Sequence, residues 1–522
     1  MSSARLISLG LGLLAALPVA AQGPSTPSTL EAALPGGGAN AAAVQAAPLS
    51  VIDWLAVPPA EAAISKDALT PRDIPNSAAA PSVATAPLDG GDGGAGLLAP
   101  AASGIPATLW SGSSLSTLSR AMDALPAETL APVAELRKRL LIARTNPPEG
   151  ASAAEFLAWR VAHLREIAAA DEAMALFEET RVTLTPDLFT HYADLAFILG
   201  EEDRACAQWR DNAALSDDIA LRIVCLARVG DWNAAALALQ GALVLGDMPA
   251  DRGALLAAFL DPELADAQDR FTLAGPVTPL DFRMKEAVGA PLPTENLPRV
   301  YALSDLRPAM GWKAQIDAAE RLVRTGAVPP ARLFELYTAR VPAASGSVWD
   351  RADAVQTLDA ALRAGEPSEV GPALRDAVAA MGAAGLLPAL ATMVADRLDP
   401  VMSLAPEAAT AQAKLLLLSD RYESAREAVP EPLQAIAVGD VLGVTSTAPR
   451  IAALLDGFRA SPENPPEGNA SLGETILKAL GDLDAATAGD FTGVADALAT
   501  LRRVGLEDSA RRAALHLALL TR

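Results

Sequence analysis

Aromatic residues are scarce in this chain, 4% of 522 positions, and it holds only 2 cysteines and 3 histidines. Few aromatic and few β-branched side chains remove the material from which sheet cores are built. The histidines, His163, His191 and His516, have no ligand spacing, and neither H-E-x-x-H nor a paired C-x-x-C occurs. A zinc site therefore has no ligand set. G-x-S-x-G, a P-loop and a strand-linked G-x-G-x-x-G are missing as well. The sequence thus supplies no nucleophile elbow and no phosphate cradle. No catalytic residue, metal ligand or cofactor is assigned.

Positive charge is also short: 41 basic residues face 63 acidic ones, for a net charge of −22 and no long basic run. Displacing counterions from phosphates takes clustered Lys and Arg, so nucleic acid is excluded as a partner and anionic lipid is disfavoured. Long hydrophobic runs are lacking too. The longest are Leu6 to Leu17 and Leu386 to Ala395. Both fall below the ~20 residues that span a bilayer.

What the chain does have is Ala and Leu, which dominate an apolar content of 51%. Both are strong helix formers, so the composition predicts an all-α protein. The N-terminus reads as a secretory signal: Arg5, the apolar stretch Leu6 to Leu17, then Pro18-Val19-Ala20-Ala21 with small residues where signal peptidase needs them. Cleavage is expected between Ala21 and Gln22, which places the mature protein in the periplasm of a Gram-negative bacterium.

Residues 22–105 are rich in Pro, Ala, Gly and Ser. They read as a disordered linker, since such a segment buries too little apolar surface to offset its ordering entropy. Within it, residues 49–55 form an apolar island containing Ile52, Trp54 and Leu55. Two readings stand: a short docking motif that orders on a partner, or a segment that packs back on its own scaffold.

From Leu109 onward helical periodicity takes over. Trp232, Ala236, Leu239 and Leu243 follow i, i+4, i+7, i+11, and the preceding segment is apolar on two faces, as in stacked helix arrays. Breaks recur at Ala170-Asp171-Glu172, Gly200-Glu201-Glu202 and Gly230-Asp231, and the alanines that follow, Ala173, Ala205 and Ala235, are spaced by 32 and 30 residues. Gly closes one helix, Asp caps the next, and the alanine lets the pair pack closely. Ser419-Asp420-Arg421-Tyr422 before Ala425 reads as another helix start. Prolines cluster between 276 and 308, which marks either a joint between lobes 106–275 and 309–522 or a run of short Pro-initiated helices.

Cys206 and Cys225 flank a turn centred near Leu215 at similar distances. In an antiparallel hairpin they reach the same level, so a disulfide is expected in an exported chain, with two buried free thiols as the alternative.

This spacing resembles the tetratricopeptide-like superfamily, well over Ala151 to Ala250 and loosely after Leu404, without the family's full aromatic, Leu-Gly and Pro pattern. The resemblance implies an α-solenoid of antiparallel helix pairs. Ile52-Asp53-Trp54-Leu55, Gly96-Leu97-Leu98-Ala99-Pro100, Gly104-Ile105-Pro106, Leu109-Trp110 and Asn146-Pro147-Pro148 also resemble exported α-proteobacterial proteins of undefined activity, some labelled "antifreeze". No regular ice-matching Thr array is present, so no activity transfers.

Acidic pairs such as Glu178-Glu179, Glu201-Glu202 and Asp217-Asp218 raise the question of a glycosidase, but neighbours on a helix point about 100° apart and read as solvated faces or first turns. Glu423-Ser424 matches the catalytic dipeptide of lytic transglycosylases, without that family's downstream Gly-Leu-Met-Gln. The function expected is a periplasmic scaffold or adaptor for an envelope protein, an accessory of the flagellar motor being one form. A peptidoglycan hydrolase and a passive structural protein are the alternatives.

Overall fold

The computed structural model describes residues 94–261, 263, 271–425, 429–459 and 472–521. The expected cleavage site at Ala21 and Gln22, and Ile52, Trp54 and Leu55, lie outside the described residues. Every extended element among those described is a helix, and no strand occurs there; three isolated bridges tie Ala95 to Thr145, Leu98 to Ala143 and Ser114 to Glu149. No helix among them is long and apolar enough to cross a membrane.

The helices start where the sequence supplies caps. Ser152 and Glu155 form a reciprocal capping box at Ala153–Glu166, and Thr278 and Asp281 form another at Pro279–Ala287. Asp231 caps Trp232–Leu245 by accepting from the Ala234 amide at 3.0 Å. The expected Gly-then-Asp punctuation holds there. At Gly200 the left-handed turn (φ 79°) ends Pro186–Leu199, but Glu201 offers the next helix no side-chain cap. Tyr422–Ser424 is a single 3-10 turn instead of the expected helix start.

Consecutive helices pack on one another about a continuous core of Leu, Ala and a few aromatics. Ala173, Ala205 and Ala235 are all fully buried. Several ion pairs join residues some 26 to 35 apart in the chain. Lys138 reaches Glu172 (34 residues on), Arg144 reaches Glu179 (35), and Arg204 reaches back to Glu178 (26). Arg252 joins Asp281 (29) and Arg351 joins Glu320 (31).

Residues 276–308 carry Pro279–Ala287 and two 3-10 helices, Thr294–Asn296 and Arg299–Leu306. Tyr301 Oη donates to the Val277 carbonyl at 2.6 Å and Arg321 to that of Thr294 at 2.9 Å. The helices before and after belong to one compact unit.

The first described helices close on the last. Ala131–Ile142 packs against Glu507–Leu520 through Arg512–Glu135 at 2.9 Å and Arg139 donating to Ser509 at 2.8 Å. The Gly473 amide donates to the Leu109 carbonyl at 2.9 Å, and Thr129 donates to Asp484 at 2.6 Å.

The end of the predicted linker differs from expectation, because residues 94–105 are ordered. The reason is glycine used for close approach: a Cβ on Gly94 would fall 1.8 Å from the Thr145 carbonyl oxygen, and one on Gly96 2.4 Å from that of Ala143. Buried Arg160 fastens this segment. Its guanidinium donates to the carbonyls of Leu141, of Ala95 at 2.7 Å and of Ala143 at 2.9 Å. Burial pulls its pKa down to about 9.

Candidate functional site

Two features stand apart from this internally satisfied scaffold. The first is Trp232–Leu245, fourteen residues without a charged side chain. It buries Ala235, Leu239 and Ala242 and leaves Leu237 75%, Val244 84% and Leu245 75% exposed, with Trp232 and Leu243 beside them. Of the row Trp232, Ala236, Leu239 and Leu243, which the sequence places on one face, only Leu239 is buried. Asn233 and Gln240 are the polar residues of a helix otherwise apolar, so the apolar period carries little phase, and the core takes the row with the smaller side chains. Leu237, Gly241 and Val244 stand at i, i+4 and i+7 on the open side, and nothing lies within 4 Å of where a Gly241 Cβ would be. An apolar row with a small residue in its middle admits another helix.

The second feature is a cavity of about 960 Å³ where residues 128–131, 323–324, 378–389, 487 and 519–521 converge, with Lys414 at its wall. Lys414, in the last turn of Pro406–Leu417, is half-buried and has no hydrogen-bond or carboxylate partner among the described residues. The other described lysines are all engaged: Lys138 with Glu172, Lys285 with the Phe271 carbonyl, Lys313 with Asp317 and Lys478 with Asp482. Arg324 reaches the same cavity, donating to the Ala384 carbonyl at 2.8 Å, with Nε 4.0 Å from Glu128. Glu128 is shared with Arg299 at 3.1 Å.

A smaller cavity of about 480 Å³ gathers Asp194 and Asp218 from different helices, along with Arg165, Arg252 and Tyr301. Here the charges are closed on each other: Arg165 bonds Asp194, and Arg252 stands 3.8 Å from Asp218 and 2.7 Å from Asp281. Burial raises Asp194 above the usual carboxylate range and pushes Tyr301 up to about 12.

Cys206 and Cys225 face each other at disulfide distance, Cα atoms 5.1 Å apart, across the hairpin formed by Glu202–Asp211 and Ile219–Arg228. The turn between them is the 3-10 helix Ala213–Leu215, where the sequence placed it. The histidines are dispersed, and no cluster of His, Cys, Asp and Glu among the described residues suits a metal. His163 lies under Trp159 beside Glu166, whereas His516 is fully buried with Nε2 3.1 Å from the Leu418 carbonyl. Of the acidic pairs, Glu178, Glu179, Asp217 and Asp218 are exposed, as a solvated face requires, and Glu202 is the exception. Glu202 is buried because Arg283, 81 residues on, comes to meet it, with Arg228 at 3.8 Å. Glu423 pairs with Arg511 at 3.0 Å.

Sequence reasoning did not single out Leu237, Val244, Leu245 or Lys414. For the first three a signal existed: a helix-length run without charge in a strongly acidic chain.

Asn146 and Trp110, which carried the second resemblance, bond to residues flanking its other segments. The Gly94 amide donates to the Asn146 side chain at 2.8 Å, the Asn146 amide to the Ala107 carbonyl at 2.8 Å, and Trp110 Nε1 to Thr145 at 3.1 Å. No family model matches the chain, and neither a curated protein nor a solved structure does.

Proposed function

We propose that this protein is a periplasmic scaffold, an array of tetratricopeptide-like helix pairs that holds an envelope protein by its uncharged helix Trp232–Leu245. The observation that carries this reading is the exposure of Leu237, Val244 and Leu245 on a charge-free helix. Exposed apolar patches on otherwise polar surfaces mark association sites. In a chain of net charge −22 a face without charge selects its partner by shape and apolar contact. The partner is an apolar or amphipathic helix of another exported protein, laid along Leu237, Gly241 and Val244 as one helix lies on the next within the scaffold.

The repeat reading is supported by two periods that agree. One group of the ion pairs joins residues 25 to 38 apart, about the length of a helix pair, and the fully buried Ala173, Ala205 and Ala235 recur at 32 and 30. Export is supported by the N-terminal signal pattern and by a cysteine pair at disulfide distance. The mechanism is steric and recognitional: the scaffold brings its client to an assembly of the cell wall, the outer membrane or the flagellar motor.

The double substitution Leu237→Glu, Val244→Glu tests the docking face. Neither side chain supports the core, so the fold and its melting temperature stay as they are while co-purification of the client from the periplasm is lost. Unchanged co-purification overturns the assignment of this face. N-terminal mass analysis of the exported protein is expected to give Gln22 as the first residue, and retention of residues 1–21 would contradict export.

A further inference from the structure

We propose that the 960 Å³ cavity is a second, separate binding site, which takes the free C-terminus of a peptide chain. The argument begins with Lys414. A cation in an acidic protein finds a carboxylate easily, and the other described lysines have each found an oxygen. Lys414 is held half-buried against the cavity with none. Arg324 adds a second positive charge at the same wall, and the one acidic residue lining it, Glu128, is already drawn on by Arg299 and Arg324. Among the lining side chains the cations outnumber the single carboxylate, with Asp484 set behind Thr129, and that excess suits an anion.

The rest of the lining narrows the class. Leu130, Val323, Val378, Leu386, Leu387 and Leu519 provide apolar wall, so the anion has an apolar body. Thr129 and Thr487 stand among them. Each hydroxyl donates its proton inward, Thr129 to the Asp484 side chain at 2.6 Å and Thr487 to the Asp484 carbonyl at 2.7 Å. Their lone pairs are left to accept, so they can receive N–H groups from a ligand. A fatty acid has a carboxylate and no N–H. A peptide C-terminus has the carboxylate for Lys414 and Arg324, amide donors for Thr129 and Thr487, and side chains for the leucines. The volume suits a few residues of such a chain.

This site is separate from the Trp232–Leu245 face, whose residues it does not share, so either assignment can fail alone. Lys414→Gln is a clean probe because Lys414 has no bonded partner to lose, and Lys414→Arg keeps the charge.

The test is fluorescence anisotropy of the full-length exported protein with a fluorescein-labelled random tetrapeptide pool. The pool is prepared in two forms, with free carboxylate and with amidated C-termini. The free-acid pool is expected to bind at least tenfold more tightly than the amide pool. Lys414→Gln should weaken the acid by about tenfold, Lys414→Arg should retain most of the affinity, and decanoate should compete poorly. Equal affinity of acid and amide, absence of binding by either, or displacement of the peptide by decanoate at lower concentration would each overturn the proposal, the last in favour of a lipid ligand.

Discussion

Gly473 lies against the indole of Trp110 so closely that a Cβ there would stand 2.3 Å from Trp110 Cε3. This contact joins the first described stretch of the chain to a helix near its end, and the Gly473 amide bond to the Leu109 carbonyl runs alongside it. Trp110 is fully buried and pinned through Nε1 to Thr145, so it has no route of escape from a methyl group.

Gly473→Ala is therefore expected to destabilise the fold by about 1–3 kcal/mol, the cost of forcing extra volume into a packed core. Thermal unfolding followed by Trp fluorescence checks this. The same change at Gly481, where the nearest atom to an added Cβ is a Leu125 methyl at 3.9 Å, should be close to neutral.

Glu320 is a carboxylate held by three hydrogen bonds. Arg351 holds it through Nε at 2.8 Å and Nη2 at 2.7 Å, and Tyr337 donates to it at 2.8 Å, all with little exposure. Burial and the adjacent carboxylate push the Tyr337 hydroxyl well above its ordinary pKa. Glu320→Ala leaves the half-buried Arg351 guanidinium without a counter-charge and the Tyr337 hydroxyl without its acceptor, and a loss of about 2–3 kcal/mol is expected in urea unfolding. Lys313→Ala, which breaks the exposed pair with Asp317, should cost less than about 0.5 kcal/mol.

The Cys206–Cys225 pair closes a loop of 19 residues. Non-reducing peptide mapping of periplasmic protein should show the two joined, and reduction should lower stability by about 3 kcal/mol in the chain-entropy account. Free thiols in native material would remove this staple.

His516 sets an acid response. Burial, with Arg512 nearby, pulls its pKa from 6.5 to about 3, and Nδ1 has no partner. The unfolded chain takes up the proton first, so this contribution is complete above pH 6.5 and is lost as pH falls toward 3. The loss is about 1.4 kcal/mol per unit, or about 2 kcal/mol by pH 5. His516→Gln should flatten the dependence of unfolding free energy on pH between 7 and 5 relative to the parent. An unchanged slope would contradict the assignment.

The all-α class and the Cys206 hairpin were legible because both are local: Ala and Leu set the helices, and the hairpin needs only a turn at Leu215. Features that depend on distant partners were not. Glu202 looked like a solvated first-turn acid because nothing in its neighbourhood announces Arg283. Gly94 and Gly96 carried the composition of a flexible linker, while their role is to let one backbone lie on another. Lys414 is notable only for what it does not touch, which no pattern of spacing encodes. The helix Trp232–Leu245 was recognised as a helix, but the side it leaves open was not, since a run apolar on most sides gives a period with little direction.

The most direct test of the scaffold reading places a photo-crosslinking amino acid at Leu237 or Val244 of the exported protein in living cells, with Arg375 on another exposed surface as the control. The account predicts one exported envelope protein joined at both apolar positions and not at Arg375, crosslinked through an apolar or amphipathic helix, and lost in the Glu variant of the neighbouring position. Crosslinks only to a second copy of this chain, or equal capture at all three positions, would contradict it.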